Sequence, residues 1–178
     1  MQHPNRTYHC SESREGPPCS TLTEPPLPQM LILKENRLSG TIASELGGHQ
    51  RLEILDVSRN RLSGALPTEL GLLPALKQLH LQHNALHGPL PHTLHQLAAL
   101  ETLDVSANAL TGSVPAAELV DIPRLQQLNA GYNGFTGSVL PAQLARLTTL
   151  RSLQLAGLPG VRAVTQPREP RVQLHAAR

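Results

Sequence analysis

Asp56, His80 and Asp104 stand 24 residues apart, and Ser58 and Ser106 each follow an aspartate by two positions. Brought together, they would supply a carboxylate to orient an imidazole, a base to take a proton and a hydroxyl to attack. These are the parts of a nucleophilic hydrolase. Five histidines, His80, His83, His87, His92 and His95, crowd one stretch and suggest a metal, provided that their nitrogens converge at ~2 Å. The glycines make no phosphate loop, since no G-x-x-x-x-G-K-[ST] occurs. Whether any of these groups meet depends on the elements that carry them.

Those elements repeat. Asn36, Asn60, Asn84, Asn108 and Asn133 recur at intervals of 24, 24, 24 and 25, each inside one leucine frame. The stretch 76–91, LKQLHLQHNALHGPLP, shows that frame as LxxLxLxxNxLxGxLP. Self-similarity at this period marks a leucine-rich-repeat solenoid, with about five full repeats and a partial sixth. The sixth copy supplies Leu150, Leu153 and Leu155, then places Leu158 where asparagine belongs. Alternation such as Leu79-His80-Leu81 reads as a short strand with one buried face. Strands are therefore expected near 30–34, 54–58, 78–82, 102–106, 127–131 and 152–156. Parallel neighbours lie ~4.8 Å apart, so stacked copies build a sheet that no single copy could stabilise. An inward asparagine amide carries donors and an acceptor for the backbone groups that lose their ladder partners at the turn. Gly40, Gly64, Gly88, Gly112 and Gly137 allow a positive φ or close approach between coils.

The G-x-[IVL]-P segment after each asparagine resembles the plant-type extracellular leucine-rich repeat of receptor-like kinase ectodomains, receptor-like proteins and polygalacturonase-inhibitor-like proteins. The resemblance covers roughly residues 28–158. It implies a right-handed coil with a parallel β-sheet on its concave side. It also implies a cysteine-bearing cap before the first repeat, with Cys10 and Cys19 as a disulfide; two free thiols are the alternative, because the tryptophan and Gly-Val of the family cap are missing. By the same resemblance the protein is extracellular or membrane-attached. Yet residues 1–10 lack the apolar segment of a secretory signal, and no apolar run approaches a membrane span. The sequence then starts downstream of the true beginning, derives from a truncated gene, or stays inside the cell.

Composition agrees with a single elongated repeat domain. Aromatics make up 2% of the chain, because leucine fills a repetitive core without them. A net charge of +2 with no basic stripe excludes a nucleic-acid partner. The domain organisation expected is an irregular, cap-like 1–27, the repeats at 28–158, and a mobile Pro/Arg-containing tail at 159–178. The Asn5-Arg6-Thr7 sequon matters only if the chain is secreted. Because the sixth copy stops early, an exposed apolar edge is expected around Leu153 and Leu155, open to self-association.

On this frame three columns of strand residues face outward: Ile32, Asp56, His80, Asp104, Asn129, Gln154; then Lys34, Ser58, Gln82, Ser106, Gly131, Ala156; then Glu35, Arg59, His83, Ala107, Tyr132, Gly157. The surface reads as polar and mixed in sign, without a large apolar patch. Hot spots favour Tyr and Arg, so Tyr132 and Arg59 lead a set that includes Asp56, His80, His83 and Asp104. The histidines diverge, His80 and His83 on the concave side, His87 in the turn, His92 and His95 on the convex return. No metal or cofactor is expected. The expected function is non-catalytic recognition of a protein, peptide or glycan on the concave sheet, by a receptor-like ectodomain or a fragment of one. A free-standing inhibitor of a secreted enzyme is the alternative. A hydrolase built on His80 with Asp56 and Asp104 is the remote one, since the open sheet offers no evident oxyanion pocket.

Overall fold

The computed structural model describes residues 29–113, 119, 122–136 and 149–158, and the backbone of 173–175. Cys10, Cys19, Gly137 and most of the 159–178 tail lie outside the described residues.

The strands are β1 (Met30–Ile32), β2 (Ser39–Gly40), β3 (Ile54–Asp56), β4 (Arg61–Gly64), β5 (Gln78–His80) and β6 (Ala85–Gly88). They continue as β7 (Thr102–Asp104), β8 (Ala109–Ser113), β9 (Gln127–Asn129), β10 (Gly134–Thr136), β11 (Ser152–Gln154) and β12 (Gln173–His175). One seven-stranded parallel sheet runs β1-β3-β5-β7-β9-β11-β12, and a second, five-stranded, runs β2-β4-β6-β8-β10. The register repeats without slip: Leu31, Leu55, Leu79, Leu103, Leu128 and Leu153 stand in one row. Each of the first five copies therefore contributes one strand to each sheet, as stacking of like units in a leucine-rich-repeat solenoid requires.

Strands start where alternation places them but end two residues earlier than expected. In two copies a carboxylate braces the turn: Asp56 Oδ1 accepts from the Ser58 N–H at 3.0 Å, and Asp104 does the same for Ser106. One residue later the chain enters left-handed space. Glu35, Arg59, His83, Ala107 and Tyr132 have φ of 57°, 53°, 56°, 51° and 54°, none of them glycine. Such residues cost on the order of 1–3 kcal/mol each and persist only where surrounding structure holds them.

The asparagines do that holding. Asn108 Nδ2 donates to the carbonyls of Val105 and Ser106 in its own copy and to Leu81 in the preceding one, each at 3.1 Å. Its Oδ1 accepts the Leu86 N–H at 3.1 Å. Asn60, Asn84 and Asn133 bridge consecutive coils in the same way. Asn133 is buried, whereas Asn60, Asn84 and Asn108 are half-buried rather than fully enclosed. Asn36, in the first copy, is exposed and among the described residues bonds only Leu33 and Lys34.

After the second strand, Pro67 and Pro91 hold extended φ/ψ and open 3₁₀ helices at Thr68–Leu72 and His92–Gln96; Ser44–Gly48 forms the first. Three residues per turn puts every third side chain on one edge. Leu70, Leu73 and Leu76 are accordingly buried, as are Leu94, Leu97 and Leu100. Each enclosed leucine contributes roughly 1.5–3 kcal/mol. Stacking of these helices needs one small residue: a Cβ at Gly71 would stand 2.6 Å from Thr93 Cβ and overlap its carbonyl oxygen. Among the repeat glycines expected to take positive φ, Gly40, Gly64, Gly88 and Gly112 do so, at 80° to 92°.

The C-terminal edge differs from expectation. Leu153 and Leu155 are buried, not exposed, and β11 pairs along its outer side with β12, Ser152↔Gln173 to Gln154↔His175. A short segment of the tail thus takes the place of a seventh strand, satisfying backbone groups that the sixth copy alone would leave unpaired.

Candidate ligand-binding face

Cα pairing sets Ile32, Asp56, His80, Asp104, Asn129 and Gln154 in one row across the concave sheet. His80 stands between Asp56 and Asp104, each one strand away. Period-two alternation turns these side chains outward while their leucine neighbours face the core.

The second expected column is displayed only in part: Lys34 is exposed and Gln82 and Ala156 are half-buried, but the other three are not. Ser58 and Ser106 are 3% and 7% exposed, and Gly131 is buried as well. The Ser58 hydroxyl donates to Asp56 Oδ1 at 2.6 Å, and that of Ser106 to Asp104 Oδ1 at 2.7 Å. Repeat-borne Asp-x-Ser is therefore a local clamp: it fixes the carboxylate and closes the turn. One oxygen of each aspartate is spent on its own backbone, leaving the other to face outward. Asp104 Oδ2 accepts from Asn129 Nδ2 at 3.3 Å, and Asn129 Oδ1 in turn accepts the Gly131 N–H at 3.2 Å. At the third copy Gln82 replaces serine, and its Oε1 is buried without a hydrogen-bond partner among the described residues.

This arrangement does not assemble a nucleophile. The serine hydroxyl protons go to aspartate rather than to His80, whose Nε2 faces Gln78 Oε1 at 3.4 Å. The depression beside it is about 130 Å³, lined by His80, Thr102, Asp104, Gln127, Asn129, Ser152 and Gln154 among others. It is lined by side-chain acceptors and donors, with no convergent pair of free backbone N–H groups: the N–H groups of Val105 and Ala130 are bonded to the next coil. Among the described residues no three His, Cys, Asp or Glu side chains gather into a metal-binding group, and His87, His92 and His95 lie on β6 and the 3₁₀ helix, away from the concave row.

The third column is well displayed. Arg59 is exposed and pairs loosely with Glu35 at 3.7 Å, an arrangement of little energetic weight in water. His83 is exposed. Tyr132 is 62% exposed, and its ring lies against Gly157 of the next coil, where a Cβ would stand 2.6 Å from Cδ1. Glycine at that place lets the ring rest on the adjoining backbone with its other side open.

One column was not singled out from sequence: Met30, Ile54, Gln78, Thr102, Gln127 and Ser152, aligned at the strand starts. The same alternation that picks out His80 also turns Gln78 outward. Apolar side chains also stand on this face, at its first strands. Met30 and Ile32 are 53% and 50% exposed, and half-buried Ile54 adjoins them. The concave face is apolar at its first strands, charged at Asp56–His80–Asp104 and aromatic at Tyr132.

A leucine-rich-repeat family model matches residues 29–86. The plant peptide hormone receptor RGFR1, solved in complex with RGF2, is 31% identical with a TM-score of 0.69; the match covers 73% of this chain and 20% of that one. The BIR3–SERK2 complex from Arabidopsis thaliana contains a chain 32% identical with a TM-score of 0.64, covering 75% of this chain and 69% of that one. The BIR2 ectodomain from Arabidopsis thaliana is 31% identical with a TM-score of 0.63, covering 74% and 68%. The chain belongs to the plant-type extracellular leucine-rich-repeat family. As a member it spans about a fifth of the RGFR1 chain and about two thirds of the BIR2 chain. No curated protein matches the sequence. The repeat asparagines, the G-x-[IVL]-P segments and the parallel concave sheet carry the family likeness.

Proposed function

We propose that this chain is a non-catalytic recognition module of a receptor-like ectodomain, and that it takes an extended peptide or a loop of a partner protein on the concave face. The observation that carries this is the pre-set row Asp56–His80–Asp104. Its carboxylates are locked by serine clamps, between an apolar platform at Met30, Ile32 and Ile54 and the supported ring of Tyr132. Side chains held by local bonds lose little freedom on binding, which favours affinity. Neighbouring strands at ~4.8 Å put Ile32 and Tyr132 roughly 19 Å apart, the span of about six extended residues. Relatives solved with a peptide hormone, RGFR1 with RGF2 and PEPR1 with AtPEP1, support a peptide ligand. The BIR3–SERK2 complex, which contains a chain 32% identical to this one, supports a protein partner.

Selection of a displayed random peptide library against the folded chain tests this. Enriched peptides should bind saturably and lose affinity on Asp104→Ala and Tyr132→Ala, while Thr93→Ala on the convex side leaves binding unchanged. Peptides indifferent to both concave variants would refute the proposal.

A further inference from the structure

The flank of the solenoid, where each chain turn enters its concave strand, changes character along the array. Glu53, Lys77, Glu101, Gln126 and Arg151 precede the aligned strand starts and stand in one row. In the early copies this row closes on itself, for Lys77 Nζ meets Glu53 Oε2 at 2.7 Å. In the later copies it does not. Glutamine separates Glu101 from Arg151, and Arg124 returns an arginine to a place that Arg51 holds in the second copy and that Ala75 and Ala99 hold in the third and fourth. A recess of about 630 Å³ opens there, lined by Glu101, Pro123, Arg124, Gln126, Thr149, Leu150 and Arg151. Both arginines are exposed, and among the described residues neither comes within 4.0 Å of a carboxylate or makes a side-chain hydrogen bond. Thr149 is already engaged, its hydroxyl donating to the Leu125 carbonyl at 2.9 Å. The unspent donors of this recess are therefore the two guanidinia and the Gln126 amide.

We propose that the recess is a second binding site, separate from the concave face, for a carboxylate carried by a partner polypeptide. Guanidinium forks match carboxylates with two parallel bonds. The volume lies within the ~300–1,000 Å³ typical of ligand sites, far larger than a bare ion needs. Pro123 and Leu150 give the recess an apolar wall for the carbon chain that bears the acid. Among the described residues that line it, two arginines against Glu101 leave one positive charge, which complements a carboxylate and underserves a phosphate monoester, at about −1.5 to −2 near neutral pH.

Three blocked peptides of one length test this on the whole chain by calorimetry at low salt. One carries glutamates with an amidated end, one has neutral side chains with a free C-terminus, and one is neutral throughout. The first binds if the acid is a side chain, the second if it is a terminus, and the third does not bind. Arg124→Gln and Arg151→Gln each weaken that binding about tenfold, while Lys34→Gln and Tyr132→Ala leave it unchanged. The proposal is overturned if neither acidic peptide saturates, if Lys34→Gln weakens binding as much as the recess variants, or if a phosphoserine peptide binds the same arginines more tightly. Because Tyr132 and Asp104 belong to the concave face alone, failure here leaves the proposed concave function standing, and the reverse holds.

Discussion

Replacing Asn84 by leucine removes an amide that spans two coils, and the bonds on either side set the size of the loss. Nδ2 donates to Val57 O at 3.1 Å and Leu81 O at 3.0 Å, and Oδ1 accepts the Leu62 N–H at 3.0 Å. The carbonyls are shared. Val57 O also receives Asn60 Nδ2 at 3.0 Å, and Leu81 O also receives Asn108 Nδ2 at 3.1 Å. Neither is orphaned by the substitution. The Leu62 N–H has no such second partner among the described residues, and its residue is buried. One buried donor left unpaired costs about 1–3 kcal/mol. The left-handed backbone of His83 loses its neighbouring support in addition. We expect a loss of about 2 kcal/mol, or about 4–8 °C in melting temperature at ~2–4 °C per kcal/mol for a chain of this size. Chemical denaturation of the whole chain measures it. Asn36→Leu is the control, since among the described residues that exposed amide bonds only Leu33 and Lys34 of its own copy. An unchanged midpoint for Asn84→Leu, or an equal loss for Asn36→Leu, refutes the bridging role.

Other outcomes follow from single contacts. Gly71→Ala drives a methyl into the backbone of Thr93 and lowers stability by about 1–3 kcal/mol, whereas Gly48→Ala, with nothing within 4 Å, changes the denaturation midpoint little. Ala107→Val, a β-branched residue forced to φ 51°, unfolds at lower denaturant by about 1–2 kcal/mol, and Ala107→Gly does not. Since β12 covers the outer side of β11, light scattering should find the whole chain monodisperse; a version ending at Leu158 should self-associate through the bared strand, and equal behaviour of the two would show that β12 caps nothing.

Much of this architecture was legible before any coordinate. The leucine period places each strand start because one face must be buried, and a one-residue slip would expose the whole leucine row. Where the strands end was not legible: Asp-x-Ser looks like chemistry on paper, and only the bond from the Ser58 hydroxyl to Asp56 shows that it closes a turn. That bond, and its counterpart at Ser106, also draw the two serines in from the surface. The left-handed residues carry no composition signal, since Glu35, Arg59, His83, Ala107 and Tyr132 share nothing but their place before an asparagine. The apolar platform was missed because the columns singled out begin between the strand leucines and leave out the strand-start column of Met30 and Ile54, which alternation turns outward as well. The pairing of β12 could not be foreseen, because its segment lacks the repeat frame.

The central claim is recognition on the concave face, and residue-resolved NMR of the labelled chain, titrated with a peptide selected from the random library, tests it most directly. Saturable shifts at the amides of β3, β5, β7 and β9 and at Tyr132, with the 3₁₀ helices at Thr68–Leu72 and His92–Gln96 unmoved, are the predicted result. Shifts confined to those convex helices would contradict it.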